Sequence, residues 1–377
     1  MKNPTRRSFL QTVFVATLAT ASEPSLLASP IRQRVFVGCK APNGVLAFDW
    51  DSATGELTQA GVAANFAGVL WIASSADHNY LFAAAGLDNF NGRPTGAVVS
   101  FRVVDGKLQQ LSAQNSAGTE TCHVALDKTG RVLLAADYFG GSAASFRVSE
   151  GRLSPAVWSE HYTGHGPNAD RQEKAHAHFA CFSPDNRYAY INDLGLDCIH
   201  IYRLNTETAM LTPAGSYKAR PGAGPRTLHF HPNGHTAYSV NELDSTVDVL
   251  EWSPADGSLA LVTRIELLPD SYHGPTRGCD TEMTRDGKFV YFANRDNNFL
   301  YSFRAEFASG KLTPIGRSNC GGKTPRSITL DPTERWMLVA NQDSNLISVF
   351  RRDSVTGALA NEGKSFAAAT PMRIVFC

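Results

Sequence analysis

Short runs of alternating apolar and polar residues recur along the chain, each broken by a turn signal. The pattern is fullest in four segments, His178–Leu194, Arg226–Glu242, Cys279–Arg295 and Arg326–Gln342. Each reads as a strand, a tight turn such as Pro184-Asp185-Asn186 or Pro232-Asn233-Gly234, and a second, more apolar strand. A third strand follows, as at Ile199–Tyr202, Val247–Leu250 or Ile347–Phe350. A fourth comes after a Gly-x-Leu turn, as at Gly257-Ser258-Leu259 and Gly310-Lys311-Leu312. Weaker copies begin near Leu70 and Cys122, and a last first strand begins near Met372. The equivalent positions Leu70, Cys122, His178, Arg226, Cys279, Arg326 and Met372 are therefore 46 to 56 residues apart. A four-stranded unit repeating at about 40–50 residues is a propeller blade.

The two ends select a closed ring over a solenoid. Arg34–Gly38 matches a second strand and Met372–Phe376 a first strand, so each end supplies part of one shared blade. Joining them removes two open sheet edges. The expectation is an all-β, seven-bladed β-propeller of four-stranded blades, with the C-terminal strand closing the N-terminal blade. It forms one domain over residues 31–377.

Residues 1–30 stand apart. Arg6-Arg7 precedes an apolar run, Val13–Ala21, and a small-residue stretch, Leu27-Ala28-Ser29. That order is a twin-arginine export signal, and the apolar run is too short to span a bilayer, which takes about 20 residues. The expected location is the periplasm, with no membrane attachment once the signal is removed. The formal net charge of +0 gives no footprint for a nucleic-acid or membrane-surface partner. Seven cysteines occur without any CxxC pair, so the sequence lacks the zinc-cluster and thioredoxin signals, and mostly free thiols are expected. A monomer or weak homo-oligomer is expected.

First strands of propeller blades line the central channel, so the residues that begin them share one mouth. Here that mouth collects His176 and His178, Arg226, Arg326, Arg277 with Asp280, and Glu120 with His123. Glu242, Arg295 and Gln342 close second strands at another common register. Several arginines with a histidine and a glutamate at one end suit an anion-binding active site, against the alternative of a polar plug of mutually satisfied ion pairs. His229 reads as packing and His231 as part of a turn. Trp71 is the tryptophan nearest the mouth. The sequence has no Gly-x-Ser-x-Gly elbow, P-loop or HExxH motif. His176 and His178 offer two metal ligands without a clear third, so no metal or other cofactor is expected.

Gly224–Gly234, followed by Asn241-Glu242-Leu243 and Ser245–Val249, resembles the lactonase-type seven-bladed propellers, the family of the propeller 6-phosphogluconolactonases and the carboxy-muconate cyclases. The resemblance spans about residues 34–377. It implies an active site at His178, Arg226 and Glu242, with Arg326, Arg277 and Arg295 competing for the family's remaining basic role; position at the mouth adds His176, His123 and Asp280 around the substrate. It also implies hydrolysis of a sugar lactone, with Glu242 or His178 as general base. The export signal sets this chain apart from cytoplasmic members and favours an unphosphorylated aldonolactone. A muconate-type lyase and a non-catalytic ligand-binding propeller are the competing readings.

Overall fold

The computed structural model describes residues 32–269 and 271–377. The twin-arginine segment lies outside them. Seven antiparallel sheets follow one another in chain order. Their innermost strands are Pro371–Phe376, Val69–Ser74, Thr121–Leu126, Ala177–Phe182, Pro225–Phe230, Gly278–Met283 and Pro325–Leu330, of blades 1 to 7 respectively. In blade 1 the C-terminal strand Pro371–Phe376 pairs with Arg32–Cys39, setting Val35 opposite Phe376 and Val37 opposite Ile374. The ring closes as its ends predict. Blade 3 departs from the four-strand plan. Its outer position is filled by two short pieces, Arg152–Leu153 and Trp158–His161, and the chain then crosses toward the channel mouth before entering blade 4.

Burial is complete in the second strands and falls away toward the rim, and sequence composition follows it. Second strands such as Tyr188–Asp193, Phe289–Asn294 and Trp336–Asn341 are buried at every residue. They are sandwiched between neighbouring blades and read as near-continuous apolar runs. Outer strands such as Leu211–Lys218 are mostly exposed and mix polar with small residues. The core lies between blades, where one sheet's tyrosines meet the next sheet's aliphatics and tryptophan: Tyr188 and Tyr190 pack with Leu228, Leu250 and Trp252.

The Gly-x-Leu turns tie successive blades together. Tyr190 Oη donates to Gly257 O at 2.8 Å, Tyr238 Oη to Gly310 O at 2.7 Å and Tyr291 Oη to Gly357 O at 2.9 Å. Gly257 has φ +79°. A Cβ there would lie 2.5 Å from the Tyr188 ring, so both backbone and space require glycine. All seven cysteines are free thiols.

Candidate active site

The innermost strands share an irregularity that builds the site. In blades 2, 3, 4, 5 and 7 the register with the second strand slips across the second residue, between Val69 and Trp71, Thr121 and His123, Ala177 and Phe179, Pro225 and Thr227, and Pro325 and Ser327. Blade 6 slips between Gly278 and Thr281, and blade 1 skips Met372. Each slip is a β-bulge, which frees one residue from the ladder and re-aims its side chain. The freed residues are Leu70, Cys122, His178, Arg226, Cys279, Arg326 and Met372, the positions that the repeat aligned.

Leu70, Cys122, His178, Arg226 and Arg326 border a cavity of about 390 Å³ at one mouth of the channel. One wall is apolar: Leu70 and Cys122 line it, Met372 packs with them, and Tyr138 lies against the cluster. The other is charged: His178, Arg226, Glu242, Arg295 and Arg326, with Arg171 reaching in from the loop after blade 3.

Glu242 is the hub of the charged wall. It is 1% exposed, and Arg226, Arg295 and Arg171 all bond its carboxylate. Arg226 Nη1 donates to Oε2, Arg295 Nη2 lies 2.7 Å from the same oxygen, and Arg171 Nη2 donates to Oε1 at 2.6 Å. Burial alone would raise the carboxyl pKa. Arg295, Arg226, His178 and Arg171 outweigh it and hold Glu242 well below the ordinary range. Arg226 is fixed further by donating Nε–H to Cys279 O at 3.0 Å and Nη1–H to His178 Nε2. His178 accepts through Nε2, which places the proton of its neutral ring on Nδ1. Burial and the Arg226 charge keep that ring neutral.

Arg326 differs from the other arginines on this wall. Among the described residues its guanidinium has no carboxylate within ion-pair distance and makes no hydrogen bond. Burial, then Arg226 and Arg295, bring its pKa down to about 10, so it stays charged at neutral pH.

His176 borders the cavity as expected. Its ring stacks on Tyr138 with centroids 4.4 Å apart, Nδ1 lies 3.0 Å from Tyr138 O, and Nε2 lies 3.1 Å from Glu173. Among the described residues no group of three or more His, Cys, Asp and Glu side chains is disposed to hold a metal ion.

Three expected substrate contacts fall elsewhere. Arg277 turns away to pair with Asp296, 2.9 Å from Nε, and is not on the cavity wall. His123 and Asp280 lie one layer deeper, because they follow the bulged residue. His123 is wedged between Trp71 and Phe179, with centroids 4.5 and 4.0 Å away. Asp280 accepts from Ile328 N and Arg373 Nη1, both at 3.1 Å, and Arg373 covers the Trp71 ring at 4.4 Å. This layer is the floor of the cavity, and Trp71 belongs to it. His229 lies deeper still, partly buried against Phe179.

Sequence reasoning missed Arg171 and Tyr138. Tyr138 directly follows the blade 3 second strand, the register of Glu242 and Arg295, so the repeat could have yielded it. Arg171 lies in a loop, where the repeat gives no register.

Comparison with known proteins agrees with this architecture. The family model for "Lactonase, 7-bladed beta-propeller" matches residues 34–376. The chain is 32% identical over 298 residues to a 6-phosphogluconolactonase of Bacillus subtilis, covering 78% of this chain and 83% of that one. A 6-phosphogluconolactonase of Formosa agariphila is 31% identical over 315 residues, 81% of this chain and 87% of the relative. Among solved structures, the periplasmic gluconolactonase PpgL of Pseudomonas aeruginosa superposes with a TM-score of 0.85 at 28% identity, over 91% of this chain and 98% of that one. With the bulged ring, the charged wall and a match over nearly the whole propeller, the chain belongs to the seven-bladed β-propeller lactonase family.

Proposed function

We propose that this protein hydrolyses an uncharged aldonolactone, a glucono-lactone or close relative, to the open-chain acid. The observation that carries the reading is Arg326, a charged guanidinium without a partner among the described residues, facing a cavity with one apolar and one charged wall. A lactone presents an apolar ring face and a carbonyl on which negative charge develops. The apolar wall suits the first. Arg326 suits the second, because a fixed cationic donor stabilises a tetrahedral oxyanion.

The Glu242 network has a different part. Both carboxylate oxygens are already bonded, which disfavours Glu242 as a general base. It holds Arg226, Arg295 and Arg171 in place, and His178 orients Arg226. Glu120, Asp170 and Glu173 also border the cavity. Their carboxylates oppose a phosphate dianion, and a muconate-type diacid meets the same repulsion.

The chain acts as a monomer or weak homo-oligomer, and the described residues of one chain suffice to line the cavity. It is exported through the twin-arginine route; replacing Arg6 and Arg7 with lysine is expected to leave unprocessed chain in the cytoplasm.

The test is a lactone panel on the signal-free protein: glucono-lactone, its 6-phospho ester and a muconate-derived dienelactone. Faster turnover of glucono-lactone than of the phospho ester is expected. Preference for the phospho ester overturns the substrate, and turnover of the dienelactone alone overturns the reaction. No turnover with tight binding of a non-lactone ligand returns the protein to the binding-module reading.

A further inference from the structure

If Glu242 is occupied and the His178 lone pair is taken by Arg226, hydrolysis still needs a base for water. We propose that Glu120 is that base, a catalytic residue that first takes the proton of the attacking water and then returns it to the ring oxygen. The assignment rests on the lactonase reading of the same cavity.

Glu120 borders the cavity beside Tyr138, His176 and Arg326. Among the described residues its carboxylate makes no hydrogen bond and no ion pair. It is therefore an acidic counterpart of Arg326 facing the same space; Asp170, the other unbonded carboxylate on the lining, is exposed to solvent. Burial raises the Glu120 pKa above the ordinary glutamate range, and Lys40 and Arg326 oppose that rise only in part. A raised pKa makes a carboxylate a better base near neutral pH.

The backbone shows that the position is held at a cost. Glu120 O accepts from Tyr138 N at 2.9 Å. The same bond recurs in other blades, from Gly86 to Gly68, Glu242 to Gly224 and Gln342 to Thr324. Glu120 is left-handed, with φ +52°, and glycine fills the equivalent place at Gly68 (+72°) and Gly224 (+66°). A left-handed non-glycine residue is strained by contact between its Cβ and the following carbonyl oxygen. Thr324 shares this conformation, so strain alone marks nothing; a glutamate there also points an unbonded carboxylate at the cavity. Gly86 makes room for it, since a Cβ on Gly86 would lie 3.2 Å from Glu120 Cγ and 2.3 Å from Leu70.

The chemistry balances without a co-reactant. A water oxygen forms a bond to the lactone carbonyl carbon while its proton moves to Glu120. The carbonyl electrons collect on oxygen, opposite Arg326. On collapse the ring C–O bond breaks, and the proton on Glu120 passes to the departing alkoxide. The product is the hydroxy acid, which releases its carboxyl proton to solvent, and Glu120 ends ionised as it began.

The experiment compares parent, Glu120→Gln, Glu120→Asp and Glu120→Gly on glucono-lactone, corrected for spontaneous hydrolysis. In the parent, kcat/KM is expected to rise with pH along a limb above the ordinary glutamate range. Glu120→Gln should lose at least about 10²-fold in kcat and lose the limb. Glu120→Asp should keep the limb at a lower rate. Glu120→Gly relieves the backbone, so it should fold at least as well, and added formate should restore part of its rate. Circular dichroism melts confirm that the variants are folded. Near-parental kcat with an unchanged limb in Glu120→Gln, or folded Glu120→Gly without formate rescue, overturns the assignment while leaving the lactonase reading intact. A parent protein inactive on every lactone overturns both.

Discussion

Arg226 and Glu242, sixteen residues apart across one hairpin, meet as a buried ion pair that two further arginines share. Truncating one side of a buried pair costs about 3–5 kcal/mol, because the other side is left charged and uncompensated. Glu242→Gln is therefore expected to lower unfolding free energy by about 3 kcal/mol and kcat/KM by at least about 10²-fold. The folded pKa of Glu242 lies below its unfolded value, so its contribution is full above the unfolded value and is lost as pH falls through the folded one. Urea titrations at pH 7 and pH 4 check this: the gap between parent and variant should narrow in acid. Equal stabilities at pH 7 would remove Glu242 as the hub.

Arg326 predicts the opposite sign for stability. It is largely buried, repelled by Arg226 and Arg295, and without a described partner. Arg326→Met removes an uncompensated charge and keeps the apolar stem. The variant should melt at or above the parent temperature while losing about 10²-fold or more in kcat. A fall in both would show that the guanidinium holds the fold.

The histidines separate site from packing. His178→Ala frees Arg226 from one anchor and should lower kcat about tenfold or more without moving the pH limb, since His178 positions rather than accepts the proton. His229→Ala, two layers below, should cost stability and spare kcat in the folded fraction. If the limb disappears with His178→Ala, the base is the imidazole.

His200 supplies a pH dependence remote from the cavity. Its ring stacks on Tyr162 with centroids 4.0 Å apart, and Nε2 lies 3.6 Å from Asp193. Burial lowers its pKa, but Asp193 and Cys198 outweigh that and raise it to about 9. A raised folded pKa gives stability that is full below the ordinary histidine range and lost as pH rises through about 9. The separation is an ion contact rather than a hydrogen bond, so the loss is set at about 1–2 kcal/mol. Urea denaturation between pH 6 and pH 10 should show a decline that His200→Gln lacks.

The propeller was legible because turns such as Pro232-Asn233-Gly234 punctuate each copy and because the two ends are complementary halves of one blade. His178, Arg226, Arg295, Arg326 and Glu242 were legible for the same reason, since repeat position maps to position around the axis. Arg171 was not. The interval from Cys122 to His178, 56 residues, is the longest between copies, and the extra length is the loop that carries Arg171 over the mouth. His123 and Asp280 were placed too high because a bulge drops the next residue into the floor, and no turn residue announces it. Arg277 was misjudged because Asp296, nineteen residues on, captures its guanidinium.

The bulges divide labour within each innermost strand. Residues on either side of the bulge carry the ladder bonds and the inter-blade packing. The freed residue leaves the ladder and turns to its neighbours around the axis instead: Leu70, Cys122 and Met372 pack on one another, Cys279 is buried between blades 6 and 7, and Arg226 joins the Glu242 pair. The channel mouth is in this sense a dial of seven slots: Met372, Leu70 and Cys122 on one arc, and His178, Arg226, Cys279 and Arg326 on the other. Moving a cation from one slot to another would rotate the charged arc about the axis and change which end of a ligand it meets, while the blades beneath stay as they are.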